Sequence, residues 1–319
     1  MRLSGERRDD SEGVGQLTGA SPTPRRRAAS PLSVEHVRWA VDRYTSPVPT
    51  AVIAFDFDPF LHLGDGVVRW ETLGVAAAIF VALVVAAIGT RSLELRADDL
   101  IFVVLGIVPG AVVGGRLGYV LFHPDFFSAN PAAILDPGIG SLQLSLGVVG
   151  GSLTGGAVAA LLDGSAGRWF HVATLPFLLA AGIGKLAAVL GGDGQGQPSD
   201  AATATAYLGP GPWASLGPAI PSHPSQAYEG LACFIVLAIV MVLLAVPAVR
   251  RPDGRAFLLA LGLWAIGRAI VASTWRDPVV GGAFRAEQLF DVAIVVGSLI
   301  GIGLLIVRER PQSPADATR

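Results

Sequence analysis

Apolar residues gather into seven long runs along the chain, at about Thr72 to Ile88, Leu100 to Phe122, Ser145 to Leu162, His171 to Leu190, Gln226 to Val246, Ala256 to Thr274 and Gln288 to Val307. A helix rising 1.5 Å per residue needs ~20 apolar residues to cross a bilayer; each run approaches that length, with two or three on the short side. The pattern predicts an all-α, polytopic integral membrane protein of seven transmembrane helices. Ahead of the first run, VIAFDFDPFLHLGDGVVRWETLG reads as a short amphipathic lead-in with Trp70 at the interface. Residues 1–45 are polar, with Arg25, Arg26 and Arg27 in a Ser/Pro context, and predict a disordered tail. No apolar signal core follows either arginine cluster, so neither a secretory nor a twin-arginine leader is expected. Residues 46–310 are then the membrane domain and 311–319 a short tail.

Seven crossings put the two termini on opposite sides, and loop charge selects the orientation. Arg91, Arg96, Arg168, Arg250, Arg251, Arg255, Arg308 and Arg310 fall on one side, whereas the opposite loops hold only Arg276 and Arg285. The long connection 191–225 has no Lys or Arg. The positive-inside rule places the C-terminus in the cytoplasm and the N-terminus outside. The arginines of the N-terminal tail are then translocated; they lie far from the first span, where such charges weigh less.

Composition agrees with a membrane location: 52% of residues are hydrophobic and 15% charged. A net charge of −2 with no basic stripe gives no reason to expect a nucleic-acid partner. The single cysteine, Cys233, sits inside an apolar run, has no intramolecular disulfide partner and is expected to pack.

Against this background, charges inside the runs stand out. GGRLGYVLFHPDFF, Gly114 to Phe127, carries Arg116 near the outer end of the second span, with Tyr119 and His123 on the same helical face. Lys185, the only lysine, is about five residues from the outer end of the fourth span, and Arg268 about six from that of the sixth. All three cations lie roughly 8 to 9 Å deep on one side. Glu229 enters one turn into the fifth span, and Glu71 and Asp291 begin the first and seventh. Cations sharing one depth repel unless an anion meets them, and a lipid phosphate of the outer leaflet lies at that depth. The alternative is a set of structural ion pairs, Arg268 with Asp291 or Glu229.

Two outer loops add candidates. SHPSQAYE, Ser222 to Glu229, places Pro224 at a helix start and offers His223, Tyr228 and Glu229 as acid/base groups, or as interface anchors. GGDGQG, Gly191 to Gly196, is a glycine-rich turn whose N–H groups can approach a phosphate, with Asp193 as its charge; a plain connector is the commoner meaning.

These motifs resemble the prolipoprotein diacylglyceryl transferases of bacterial inner membranes. GGRLGYVLF is similar to that family's G-[GA]-R-[LI]-G-Y-V-L-F segment, SHPSQAYE to its R-H-P-[ST]-Q-L-Y-E segment and FDFDPF to its F-D-P opening. The likeness runs from about Val52 to Val307. It implies a multi-pass inner-membrane enzyme, without cofactor or metal, whose partners are phosphatidylglycerol and the signal peptide of a prolipoprotein with its lipobox cysteine. The diacylglyceryl group passes to the cysteine thiol and glycerol phosphate leaves. Arg268, in AIGRAIVASTWRDP, matches an arginine essential in the family and is expected to hold the phosphate. Lys185, Arg116, Asp193 and Gly196 are the further phosphate candidates; His223, Tyr228 and Glu229 are the catalytic ones.

The chain also departs from the family pattern. Val149 stands where the family has a functional histidine, Gly182 where it has an essential arginine, and Ala272 where it has a glutamate paired with the sixth-span arginine. Lys185, three residues after Gly182 on the same face, can restore the positive charge, and His123 or His223 the imidazole. A non-catalytic lipid-binding relative is the alternative, and a small-molecule transporter a more distant one.

Overall fold

The structure is a computed structural model and describes residues 52–309, apart from 137–138, 164–165, 278, 281 and 283. Among the described residues, seven helices are long and apolar enough to cross a membrane. They are α1 (Trp70–Ser92), α2 (Asp99–Phe122), α4 (Leu144–Asp163), α5 (Ala166–Gly191), α6 (Ser225–Leu243), α7 (Arg255–Val271) and α8 (Ala286–Arg308); α3 (Pro124–Ala129) is a short surface helix after α2. The seven runs expected from the sequence are thus the seven spans. The expected tails, residues 1–45 and 311–319, lie outside the described residues.

Without a hydrophobic drive between helices in lipid, close backbone approach must hold the bundle. The α2–α4 pair achieves this with glycine on both sides. A Cβ built on Gly110 would overlap the carbonyl of Gly150, and one on Gly150 that of Gly110. The core proper lies between α5, α6, α7 and α8, around Leu178, Cys233, Val236, Val240, Trp264 and Ile294. Cys233 is buried there, as its apolar run predicts. Outward faces keep large apolar side chains exposed, for example Phe80, Leu105, Ile270 and Leu304, which suits a lipid environment.

The two ends of the bundle differ. At one end Arg168 donates to the carbonyl of Leu93, and Arg251 and Arg255 both pair with Glu309. The other end is covered by a folded cap that hydropathy does not reveal. Its strand β1 (Ile53–Phe55) pairs in parallel with β4 (Thr205–Tyr207), while β2 (Phe60–Leu63) and β3 (Gly66–Arg69) form a hairpin. A third pair, β5 (Val279–Val280) with β6 (Phe284–Arg285), joins α7 to α8. The cap has its own aromatic core, in which Phe55 stacks on Tyr207 at 5.1 Å and Trp213 meets both Tyr207 and Phe57. Gln226, fully buried at the start of α6, donates to the Tyr207 hydroxyl at 2.9 Å, and burial raises that phenol above its ordinary pKa.

Candidate functional site

Beneath the cap, charges from four spans meet. Arg268 lies in the last turn of α7, only 3% exposed, and its guanidinium faces three carboxylates. Its Nη1 donates to Glu229 Oε2 of α6 at 3.1 Å, its Nη2 to Glu287 Oε2 of α8, and its Nε lies 3.4 Å from Asp291 Oδ1, also of α8. Glu287 and Asp291 are four apart, so one face of α8 presents both to the same cation. Lys185 of α5 reaches Glu229 from the other side, with Nζ 3.1 Å from Oε1 and 3.0 Å from Oε2. Ser145, at the start of α4, donates to Asp291 Oδ1 at 2.9 Å. Trp264 and Trp275 flank the Arg268 guanidinium, whose carbon lies 5.4 and 4.8 Å from their ring centres.

One wall of this cluster is open. A cavity of about 390 Å³ is lined by Lys185, Glu229, Arg268 and Glu287 and, from the cap and its hinges, by Asp193, Gly194, Gln195, Ser215, Arg276 and Asp277. Leu142, Leu144 and Leu216 add an apolar side. Cationic donors set among carboxylates, beside an apolar wall at the end of a membrane bundle, offer partners for a polar headgroup and a surface for the start of its acyl chains.

The eight candidates from the sequence separate into two sets. Arg268, Lys185, Glu229 and Asp193 line the cavity. Arg116 does not: its guanidinium donates to the carbonyls of Ala133, Ile134, Asp136 and Ile139 and stacks on Tyr119 and Phe127. It fastens residues 131–136 and Ile139, and it is not among the residues that line the cavity. The shared face of Arg116, Tyr119 and His123 is present, His123 stacking on Tyr119 at 4.2 Å.

Gly196 stands behind the cavity. Its N–H donates to the His223 carbonyl at 2.8 Å and its carbonyl accepts from Arg276 Nε at 2.6 Å. A side chain there would collide with Ser225 and with the carbonyl of Thr274, so glycine is required by close approach. His223 and Tyr228 are absent from the lining; the Tyr228 hydroxyl pairs with Thr203 at 2.7 Å, and His223 Nδ1 is buried without a hydrogen-bond partner among the described residues.

The three departures from the family pattern are all packed positions. Val149 lies against the main core, Gly182 against Cys233 and Phe234, and Ala272 is fully buried. The residues that sequence reasoning missed are Glu287, Gln195, Ser215 and Asp277. For Glu287 a signal existed, since it precedes Asp291 by one helical turn at the start of an apolar run.

Comparison with known proteins identifies the family. The sequence profile of prolipoprotein diacylglyceryl transferase matches residues 59–307. A phosphatidylglycerol–prolipoprotein diacylglyceryl transferase of Geobacter sulfurreducens is 28% identical over 79% of this chain and 96% of its own. Those of Gluconacetobacter diazotrophicus and Rhodopseudomonas palustris are each 30% identical, over 81% and 85% of this chain and 93% and 98% of theirs. The chain is a multi-pass membrane protein that belongs to the prolipoprotein diacylglyceryl transferase family.

Proposed function

We infer that the chain transfers the diacylglyceryl group of phosphatidylglycerol to the lipobox cysteine of prolipoproteins in the bacterial inner membrane. The observation that carries this reading is that Arg268 and Lys185, from two different spans, line one cavity beside an apolar wall. The names of the relatives supply the two substrates. With the capped end outside, the cavity lies level with the outer leaflet, where a lipoprotein precursor presents its cysteine.

The chemistry follows from charge. The cysteine thiol gives its proton to a base, for which Glu229 is the lining residue nearest both cations. The sulfur then attacks the glycerol carbon esterified to phosphate, forming a C–S bond as the C–O bond breaks with its electron pair on the departing oxygen. Glycerol phosphate leaves with one more negative charge than the diester carried. Arg268 and Lys185 therefore stabilise the transition state more than the ground state, which is what catalysis requires. His223, just before α6, and Tyr228, in its first turns, lie outside the lining and are the further candidates for handling the proton. Asp193 and Gly196 shape the loop on the cavity's cap side. Arg116 secures the neighbouring loop and remains the least favoured of the phosphate candidates.

The test uses the full chain in nanodiscs containing phosphatidylglycerol with a lipobox peptide. Mass spectrometry is expected to find the diacylglyceryl thioether on the peptide, and Arg268→Ala to abolish it. A second reading, a lipid-binding relative without turnover, is favoured by the aliphatic residues at Val149, Gly182 and Ala272. Binding of the lipid with no thioether after prolonged incubation would select it.

A further inference from the structure

The cation pair of the site is already occupied by an anion from the chain itself. Glu229 Oε2 lies 3.0 Å from Lys185 Nζ and 3.1 Å from Arg268 Nη1, so one carboxylate oxygen bridges two of the three cations that line the cavity. The second oxygen accepts from Lys185 at 3.1 Å. Arg268 keeps two further carboxylates, Glu287 and Asp291, on its other side. Counted formally, two cations face three carboxylates, and the cluster carries one net negative charge before any ligand arrives.

A phosphodiester and a carboxylate are alike in the respect that matters here. Each presents two oxygens that share a single negative charge. Adding a phosphodiester beside Glu229 would place two net negative charges in a poorly solvated cluster, which is costly at low dielectric. Exchanging Glu229 for the phosphodiester leaves the charge between Lys185 and Arg268 unchanged, with the displaced carboxylate turned to the open side of the cavity, and gives both cations a new oxygen partner. We propose that Glu229 is an internal counter-ion which the phosphodiester of a lipid substrate displaces from between Lys185 and Arg268. Displacement also frees the Glu229 carboxylate, both of whose oxygens are engaged at rest, to accept the thiol proton. The base thus becomes available only once the lipid is seated. The same charge count discriminates among lipids. A phosphomonoester headgroup, which carries ≈ −1.5 to −2 near neutral pH, overloads the cluster after exchange. This inference rests on the cavity being the lipid site proposed above.

The experiment measures binding of dihexanoyl-phosphatidylglycerol, dihexanoyl-phosphatidic acid and dihexanoylglycerol to the full detergent-solubilised chain, with Glu229→Gln alongside. Glu229→Gln keeps the shape and removes the competing charge. It is expected to bind the phosphatidylglycerol about tenfold more tightly than the parent while turning over more slowly, and to bind dihexanoylglycerol unchanged. Phosphatidic acid is expected to bind the parent more weakly than phosphatidylglycerol does. Equal or weaker phosphatidylglycerol binding by Glu229→Gln, with the parent binding normally, overturns the exchange and leaves the proposed function standing. If neither protein prefers the phospholipids to dihexanoylglycerol, the site assignment itself fails, and the exchange with it. Should Glu229→Gln not purify as a folded protein, Glu229→Asp serves in its place. Its shorter side chain cannot span both cations, so tighter binding is again expected and unchanged binding overturns the proposal.

Discussion

Arg116 and Arg268 lie at the same depth by sequence spacing, and the structure gives them opposite employment. Four loop carbonyls satisfy the first, and three carboxylates the second. Arg116→Ala is therefore expected to lower the melting temperature by freeing residues 131–136 and Ile139 while leaving the KM for lipid unchanged, which thermal unfolding and steady-state kinetics check together. Arg268→Lys keeps the charge and loses the planar fork that serves several oxygens at once. We expect kcat/KM to fall by about 100-fold, the scale of losing one oriented donor to a developing anion. Arg268→Ala should also destabilise, since removing one partner of a buried pair costs about 3–5 kcal/mol and here three carboxylates are left behind. Depth was legible in the sequence because helical rise converts spacing to distance. The partner was not, because the carbonyls around Arg116 belong to a short 3-10 turn and the residues after it, which carry no long-range periodicity.

Between elements, the decisive contacts are made by residues with no side chain. The α2–α4 crossing depends on Gly110 and Gly150. Gly150→Leu should separate these helices, and the expected result is loss of monodisperse protein in size-exclusion chromatography. Gly303, on α8, has open space where a Cβ would project. Gly303→Leu, as a matched control, should change stability by no more than about 0.5 kcal/mol in chemical unfolding. All seven helices were legible because a run of ~20 apolar residues has few other meanings. The strands of the cap were not: β1 and β4 are three residues each and pair across most of the membrane domain, a relation that no local pattern encodes. Gln226 shows the same limit, reading as an ordinary helix-start polar residue until its amide is seen to reach Tyr207 inside the cap.

For the molecule as a whole, the orientation derived from loop arginines is a proposal with a direct check. Cys233 is the only cysteine and is 3% exposed, so the chain offers a quiet background for thiol labelling. Asp200→Cys, at the capped end, should react with an impermeant maleimide added to intact spheroplasts, and Asp98→Cys, at the arginine-rich end, only after permeabilisation. The reverse pattern would overturn the assignment of the N-terminus to the outside. Family membership was legible from two motifs, whereas Glu287 was missed because the family likeness directs attention to Ala272 for the carboxylate beside Arg268. The pairing of Ile53 with Thr205 also sets a timetable. About 150 residues separate the two strands, and at ribosomal rates of roughly 5–20 residues per second β1 waits some 8 to 30 s for its partner. Arg268, Glu287 and Asp291 are made later still, so a nascent chain exposes its first spans to the bilayer well before it owns a complete cavity. Competence to handle lipid is in this sense the last property the growing chain acquires.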